Sequence, residues 1–145
     1  MTKGTLILRS RLKLLKPLIA GFSLSTIRVW QDRVGKLMSA SHRGDVTFDD
    51  FSIGSMPACM VTPRDEVSGG IILYLHGGGY TCGDLEYAMG FGAMLAVHNG
   101  VRVFCAAYRL APEHPYPAAL GDALDAYRYL LDKGYEPKHI TLCGE

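Results

Sequence analysis

The sequence lacks an excess of charge of either sign. Its 145 residues carry 15 Lys and Arg against 14 Asp and Glu, which leaves a formal net charge of +1. A chain so close to neutral does not have the broad basic surface that nucleic-acid binding requires, and no such partner is expected. With 48% hydrophobic residues, the composition indicates a soluble globular protein that forms one ordinary domain or part of a larger one.

Long hydrophobic runs are also missing. The two longest stretches without a charged residue cover residues 67–83 and 87–101, and the latter is interrupted by Gly90, Gly92, His98 and Asn99. Such a stretch is too short and too polar to cross a bilayer, so we expect no stable membrane insertion. A secretory signal is not expected either, because no small-residue cleavage site follows the basic start of the chain.

Cysteine is scarce, with four residues and no C-x-x-C pair. Cys105 and Cys143 lie in apolar, strand-like runs, which predicts that they are small buried side chains. No group of His and Cys has the spacing of a metal site, so neither a metal nor another cofactor is predicted. Free thiols are typical of a reducing compartment, and we therefore expect a cytoplasmic protein.

Acidic side chains are absent from the first 31 residues, which hold six basic ones. In residues 5–30 apolar side chains recur every three or four positions, which predicts a helix that Pro17 kinks or divides. We favour a surface helix that covers an apolar patch, and a membrane-surface anchor is the alternative. The apolar stripe consists of Leu8, Leu12, Leu15, Ile19 and Phe22.

After residue 44 the pattern predicts strands alternating with helices. Two short runs around the Gly54-Ser55 turn predict an antiparallel pair, and three later apolar runs predict buried parallel strands joined by right-handed crossovers. Asp84 is the predicted N-cap of the first crossover helix and Asn99-Gly100 its stop. The predicted helices cover residues 32–43, 84–98 and 117–133, and the strands cover residues 45–53, 56–63, 71–75, 101–107 and 140–143. The core stripe predicted for the last helix is Leu120, Ala123, Leu124, Tyr127, Leu130 and Leu131.

The most informative motif is His76-Gly77-Gly78-Gly79-Tyr80, which directly follows a predicted buried strand. Consecutive glycines leave backbone N–H groups open to close approach, and such donors stabilise negative charge that develops on an oxygen. A phosphate-binding loop is the alternative, but a Walker loop needs Lys-Ser/Thr after its last glycine, where this chain has Asp84-Leu85. A dinucleotide fingerprint fails as well, because Cys82 stands where it needs glycine.

A second motif, YRLAPEHPYPAA at residues 108–119, follows the next predicted strand. Three prolines indicate a rigid loop, whose position is beside the glycine loop. Arg109 is predicted to form an internal ion pair that has a structural role, with Asp122 or Glu113 as the partner.

The third motif is Cys143-Gly144-Glu145 at the end of a predicted strand, which is how a G-x-S-x-G nucleophile elbow begins. Together the three motifs resemble the hormone-sensitive-lipase family of α/β hydrolases, the bacterial family IV carboxylesterases. The resemblance implies an α/β-hydrolase fold, a mostly parallel sheet flanked by helices, of which residues 45–145 form the N-terminal half. Residues 1–44 resemble the family's N-terminal cap helices.

By this resemblance, Gly77, Gly78 and Gly79 form the oxyanion hole of a serine carboxylesterase of short-chain esters. Gly78 and Gly79 supply its N–H groups and Gly77 shapes the loop, while Tyr80 borders the substrate pocket. His76, Arg109, Glu113 and Asp122 give structural support. The serine, the acid and the histidine of the triad follow in that order, so all three are expected beyond residue 145.

Two alternatives to a carboxylesterase stay open on the same fold. One is a receptor-like module that binds a small ligand without catalysis, and the other is a lactone hydrolase or deacetylase. The expected partner in the esterase interpretation is a small-molecule ester, and a homodimer is left open for the full-length protein. The 145-residue chain alone is predicted to be inactive.

Overall fold

The structure is a computed structural model that describes residues 21–65 and 69–145, and in this part the chain forms a five-stranded sheet flanked by helices. The strands are β1 (Val46–Ile53), β2 (Met56–Pro63), β3 (Ile71–Leu75), β4 (Arg102–Ala106) and β5 (Ile140–Gly144). The helices are α1 (Leu24–Ser41), α2 (Leu85–Asn99) and α3 (Ala118–Asp132), and a single 3₁₀ turn covers Pro137–His139.

The sheet has the order β1-β2-β4-β3-β5. Strand β3 pairs in parallel with β4 and with β5, whereas β2 pairs antiparallel with β1 and with β4. The predicted antiparallel pair and the predicted parallel pairing of the later strands are therefore confirmed, but the predicted burial of β5 and of Cys143 is wrong, because no residue of β5 is buried and Cys143 is only partly buried. Within the described residues the sheet is mixed, because two of its pairings are parallel and two are antiparallel. The parallel strands β3, β4 and β5 all end at the same edge, which brings the loops that follow them together.

Helix α2 begins and ends where its predicted caps are. The Asp84 carboxylate accepts the backbone N–H of Tyr87 at 2.8 Å, which satisfies one of the donors left free in the first turn. At the other end Gly100 adopts a left-handed conformation with φ of 61° and donates its N–H to Ala96. The sequence-based prediction of this helix is confirmed within one residue at each end.

Helix α1 does not follow the predicted division. The sequence predicts one helical segment up to residue 30 and another from residue 32, but α1 is continuous across this boundary from Leu24 to Ser41. Its N-cap is Ser23, whose hydroxyl accepts the Thr26 N–H at 3.2 Å, and the segment contains no proline that would break the helix near residue 31. The predictions for residues 5–19 and for Pro17 lie outside the described residues.

The buried face of α3 differs from the predicted stripe. Leu130 is buried as predicted, but Leu120, Leu124 and Leu131 are 51%, 46% and 36% exposed. The face that packs on the sheet instead carries Asp122 and Ala126 beside Leu130. The small Ala126 side chain lets the helix approach the sheet, and Asp122 turns inward to an ionic partner. Because aspartate is polar and alanine is small, neither residue marks this face in a pattern of large apolar side chains.

Helices cover both faces of the sheet. On one face, side chains of β2, β3 and β4 such as Cys59, Tyr74 and Cys105 pack against α2. On the other face, Leu73 and Phe104 pack against α3. Alternation of side chains along the strands produces these two cores, because successive residues point to opposite faces. Burial raises the pKa of the Cys59 and Cys105 thiols, so both side chains are neutral core residues.

Helix α1 lies against α2 at an unusually close crossing. A β-carbon added at Gly35 of α1 would lie 2.5 Å from the Glu86 carbonyl oxygen and from the Tyr87 backbone. On the α2 side, a β-carbon added at Gly90 would lie 2.7 Å from the Gly35 carbonyl oxygen. Both contacts are with backbone atoms, which have little freedom to move. Glycine is therefore required on both helices for this packing, which holds α1 beside the ends of the parallel strands.

We expect Gly35→Ala to destabilise the complete polypeptide that the gene encodes by about 2 kcal/mol, because the two helices must move apart to admit the methyl group. Denaturant-induced unfolding measures this change. The matched control is Gly121→Ala in α3, where an added β-carbon has no neighbour within 4 Å. That substitution is expected to stabilise the protein by about 0.5 kcal/mol, because alanine restricts the unfolded chain. Equal effects of the two substitutions would contradict the close crossing.

No helix within residues 21–65 and 69–145 is long and apolar enough to span a membrane. In the same part of the chain, no three His, Cys, Asp or Glu side chains are grouped so that they could hold a metal ion.

Candidate active site

The glycine loop follows β3 at the edge where the parallel strands end. Gly78 has φ of 121° and Gly79 has φ of 61°, conformations that favour glycine. A β-carbon on Gly78 would lie 2.7 Å from the carbonyl carbon of Cys82 and closer still to its oxygen. The turn is closed by the Cys82 N–H, which donates to the Gly78 carbonyl at 3.1 Å. Gly78 is thus required both by its backbone angle and by the space available.

The three glycine N–H groups are not equivalent. Gly77 N–H donates to the Glu145 carboxylate at 3.1 Å, so this donor is already engaged. Within the described part of the chain, the N–H groups of Gly78 and Gly79 have no hydrogen-bond partner. Gly78 is partly buried and Gly79 is exposed. Two successive peptide N–H groups are therefore free to bind an acceptor from outside the loop.

His76 is buried beneath the loop, with 2% of its surface exposed. Its ring stacks on Tyr108, with centroids 4.2 Å apart and planes inclined by 7°. Nδ1 donates to the Gly77 carbonyl at 2.9 Å, and the Tyr108 hydroxyl donates to the His76 carbonyl. An added β-carbon on Gly83, which has φ of 98°, would collide with the imidazole, so glycine there makes room for the ring.

Burial lowers the pKa of His76, so the ring is neutral at pH 7. Since Nδ1 carries the proton, Nε2 is an acceptor, and it has no partner among the described residues. Burial also raises the pKa of Tyr108 to about 12, so its hydroxyl stays protonated and can donate. The contacts of His76 are with the loop backbone and with an aromatic ring, which is the environment of a residue that shapes the loop.

Arg109 pairs with Asp122, one of the two predicted partners. Its Nη2 donates to Asp122 Oδ1 at 2.7 Å, its Nε donates to Oδ2 at 3.0 Å, and its backbone N–H donates to the same Oδ2 at 2.7 Å. Burial of the carboxylate raises the pKa of Asp122, but the hydrogen bonds from Arg109 outweigh it and the net pKa is lowered. The pair fixes the start of the 108–119 loop onto α3.

Glu113, the other predicted partner of Arg109, pairs instead with Arg28 of α1. The guanidinium is bidentate, with Nη1 2.7 Å from Oε1 and Nη2 2.9 Å from Oε2. These hydrogen bonds lower the pKa of Glu113 to about 2. Arg28 is one of the six basic residues among the first 31, and it belongs to none of the three motifs. The two residues are 85 positions apart and belong to no common motif, so the sequence holds no local signal of the pair.

Glu145 brings the end of β5 to the glycine loop. The parallel pairing of β3 with β5 places Leu75 opposite Gly144, so the residues after each strand are neighbours. The Glu145 Oε1 atom accepts the Gly77 N–H and also the Tyr87 hydroxyl, the latter at 2.8 Å. The family resemblance predicts a nucleophilic serine directly after Glu145. That position therefore follows a residue that is hydrogen-bonded to the glycine loop.

A cavity of about 750 Å³ opens beside Gly79, one of the two glycines whose N–H group has no partner among the described residues, whereas Gly78 does not line it. Its walls are mostly apolar, with a few polar groups, as is typical of small-molecule sites. Tyr80 is among the lining residues and is 66% exposed. The lining includes Gly77, Gly79, Tyr80, Tyr108, Tyr116, Leu120 and Glu145.

The parallel strands, the crossover helices and a glycine turn with free N–H groups at the carboxyl end of β3 define the class of protein as an α/β hydrolase. The chain belongs to this family, because the sequence profile of the α/β hydrolase fold matches its residues 72–145. It falls in the hormone-sensitive-lipase-like branch. A solved esterase from the bacterial hormone-sensitive lipase family superposes with a TM-score of 0.71 and 33% identity, over 85% of this chain and 41% of that one.

Other proteins to which the chain is similar are also esterases or acetyl-hydrolases. An acetyl-hydrolase of Streptomyces hygroscopicus is 38% identical over 67% of this chain and 32% of its own length. A versiconal hemiacetal acetate esterase of Emericella nidulans is 36% identical over 79% of this chain and 41% of its own. The crystal structure of EstE5 soaked with p-nitrophenyl butyrate superposes with a TM-score of 0.76 and 30% identity, over 92% of this chain and 47% of that one. The chain thus spans less than half the length of these relatives.

Proposed function

We propose that the complete polypeptide is a serine carboxylesterase of short-chain esters, and that this chain contributes its oxyanion hole. The observation that carries the proposal is the pair of free N–H groups on Gly78 and Gly79, which directly follow Gly77, whose own N–H donates to Glu145 after β5. In this interpretation the nucleophilic serine directly follows Glu145, and the acid and the histidine of the triad come later in the chain.

The chemistry assigned to the loop is electrostatic. When the serine attacks an ester carbonyl, the carbonyl oxygen becomes negative and accepts hydrogen bonds from Gly78 and Gly79. Each such donor is worth about 3 kcal/mol in the transition state. The Gly77 N–H is not needed for this, because it holds the loop against Glu145. Collapse of the intermediate expels the alcohol and leaves an acyl-enzyme, which water then hydrolyses.

The names of relatives support an ester with a small acyl group. Among the proteins that this chain resembles are an ethyl acetate hydrolase of Pseudomonas putida and an acetate esterase of Emericella nidulans. A carboxylesterase/phospholipase of Mycobacterium tuberculosis is also 30% identical, so the wider group includes larger substrates. We choose the short-chain assignment because acetate and acetyl groups recur among the relatives that match with higher identity.

The test is hydrolysis of p-nitrophenyl acetate, butyrate and decanoate by the complete polypeptide. We expect a burst of p-nitrophenol that signals the acyl-enzyme, kcat/KM that falls with acyl length, and inactivation by phenylmethylsulfonyl fluoride. A rise of kcat/KM with acyl length would contradict the short-chain assignment. Binding of these esters without turnover would contradict the esterase and would support the receptor-like alternative.

A further inference from the structure

Arg28 on α1 joins three segments of the chain that surround the candidate site. Its Nε donates to the Thr81 carbonyl at 2.8 Å, in the glycine loop. Its Nη2 donates to the Ala111 carbonyl at 2.9 Å, in the 108–119 loop, and its two terminal nitrogens bind Glu113. The hydrogen bonds of the guanidinium therefore link helix α1 to both loops. Its side chain is 30% exposed, so these hydrogen bonds are partly shielded from water.

The glycine loop contains a strained residue next to the atom that Arg28 holds. Tyr80 has φ of 61°, a left-handed conformation that a residue with a side chain rarely adopts. Such a conformation persists where surrounding contacts overdetermine it. The Tyr80 carbonyl accepts the Ala111 N–H at 2.8 Å, and the next carbonyl, that of Thr81, accepts Arg28. Two successive carbonyls are thus held from outside the loop.

Arg28 acts on the free N–H groups through this backbone. The Thr81 N–H donates to the Gly78 carbonyl at 3.2 Å, and the Thr81 hydroxyl contacts the same oxygen at 3.2 Å. The Gly78 carbonyl belongs to the same peptide group as the Gly79 N–H. A shift of Thr81 therefore rotates the peptide group that carries one of the two free donors. Arg28 itself is not among the residues that line the cavity.

From this geometry we propose that Arg28 is a positioning residue that fixes the Gly78–Gly79 peptide in its donor orientation, through the Thr81 and Ala111 carbonyls. The proposal rests on the proposed esterase function. It requires an arginine, because the planar guanidinium presents donors in several fixed directions, whereas the ammonium of lysine is a point charge on a flexible stem. The ion pair with Glu113 orients the guanidinium so that Nε and Nη2 meet the two carbonyls.

The experiment compares Arg28→Ala, Arg28→Lys and Arg33→Ala in the complete polypeptide, with p-nitrophenyl butyrate as substrate. Arg33 is an exposed arginine on the same helix, and its replacement is the matched control. A donor that acts in the transition state affects kcat more than KM. We expect kcat to fall at least about tenfold in both Arg28 variants, with KM within about twofold of the wild type and of Arg33→Ala.

Chemical rescue separates positioning from a general loss of stability. The side chain is partly exposed, so added guanidinium can occupy the site left by Arg28→Ala, and we expect it to restore part of kcat there but not in Arg28→Lys. Potassium chloride at equal ionic strength is the control and is expected to restore nothing. A second variant, Glu113→Gln, keeps the two carbonyl contacts of Arg28 and is expected to lower kcat less than Arg28→Ala.

The outcomes distinguish this proposal from the esterase assignment. If the wild type hydrolyses the ester and Arg28→Ala has the kcat of Arg33→Ala, the positioning role is wrong. A rise in KM at constant kcat, or an absence of rescue by guanidinium, also overturns it. If the wild type hydrolyses no ester, the proposed function fails, and hydrogen exchange then decides the role of Arg28. Faster exchange of the Gly78–Cys82 amides in Arg28→Ala than in Arg33→Ala supports the role, and equal exchange refutes it.

Discussion

Replacement of Gly78 by alanine is expected to lower kcat of the complete polypeptide at least about 100-fold, with a much smaller change in KM. Gly78 has φ of 121°, and a β-carbon there would lie 2.7 Å from the Cys82 carbonyl carbon. The colliding atoms belong to the backbone of the same tight turn, so the turn must open to admit the methyl group. Opening it moves both free N–H groups away from the oxygen that they are proposed to bind.

Gly79→Ala is the matched control for this substitution. Its φ of 61° is left-handed, which costs about 1 kcal/mol for alanine, but an added β-carbon has no neighbour within 4 Å. The N–H group is retained, and we expect a decrease in kcat of about tenfold or less. Thermal unfolding of both variants checks that the fold is intact. Equal kcat in the two variants would show that crowding at Gly78 does not position the donors.

The second prediction concerns the esterase activity of the 145-residue polypeptide on its own. A purified polypeptide of residues 1–145 is expected to hydrolyse p-nitrophenyl esters no faster than its Gly79→Pro variant. In a serine hydrolase, loss of the nucleophile or of the base costs about a million-fold in kcat. In our assignment both lie outside this chain, which spans less than half the length of its relatives.

Gly79→Pro is the negative control for this measurement. Proline has no N–H group and requires φ near about −65°, whereas Gly79 has φ of 61°. The variant therefore removes one proposed donor and distorts the loop. Turnover by the 145-residue polypeptide above this control would refute the assignment of the nucleophile to a position beyond Glu145.

The features that the sequence predicts well are those encoded by neighbouring residues. Helix α2 has an acidic N-cap and a glycine stop at its two ends, so its limits are predicted within one residue. Strand β3 is a continuous apolar run and β4 is apolar after Arg102, which is typical of strands covered on both faces. The position of the glycine loop follows from the first of these strands, because the loop comes directly after it.

The features that could not be predicted depend on contacts between distant segments. The choice of Asp122 over Glu113 as the partner of Arg109 is made by α3, which turns Asp122 toward the sheet. The ion pair between Arg28 and Glu113 joins α1 to the 108–119 loop, and no local pattern indicates a contact between residues so far apart in the sequence. The buried face of α3 was predicted incorrectly because leucine spacing identifies an apolar stripe but not the neighbour that covers it.

Strand β5 has a consequence for how such a protein is made. It pairs with β3 on one side, no strand among the described residues pairs with its other side, and Leu142 is 65% exposed. An unpaired apolar edge is a template for pairing with other chains. Because synthesis proceeds from the N-terminus, a nascent chain whose first 145 residues have left the ribosome exposes this unpaired edge. We expect a nascent chain to be most prone to pairing with other chains for as long as this edge is uncovered.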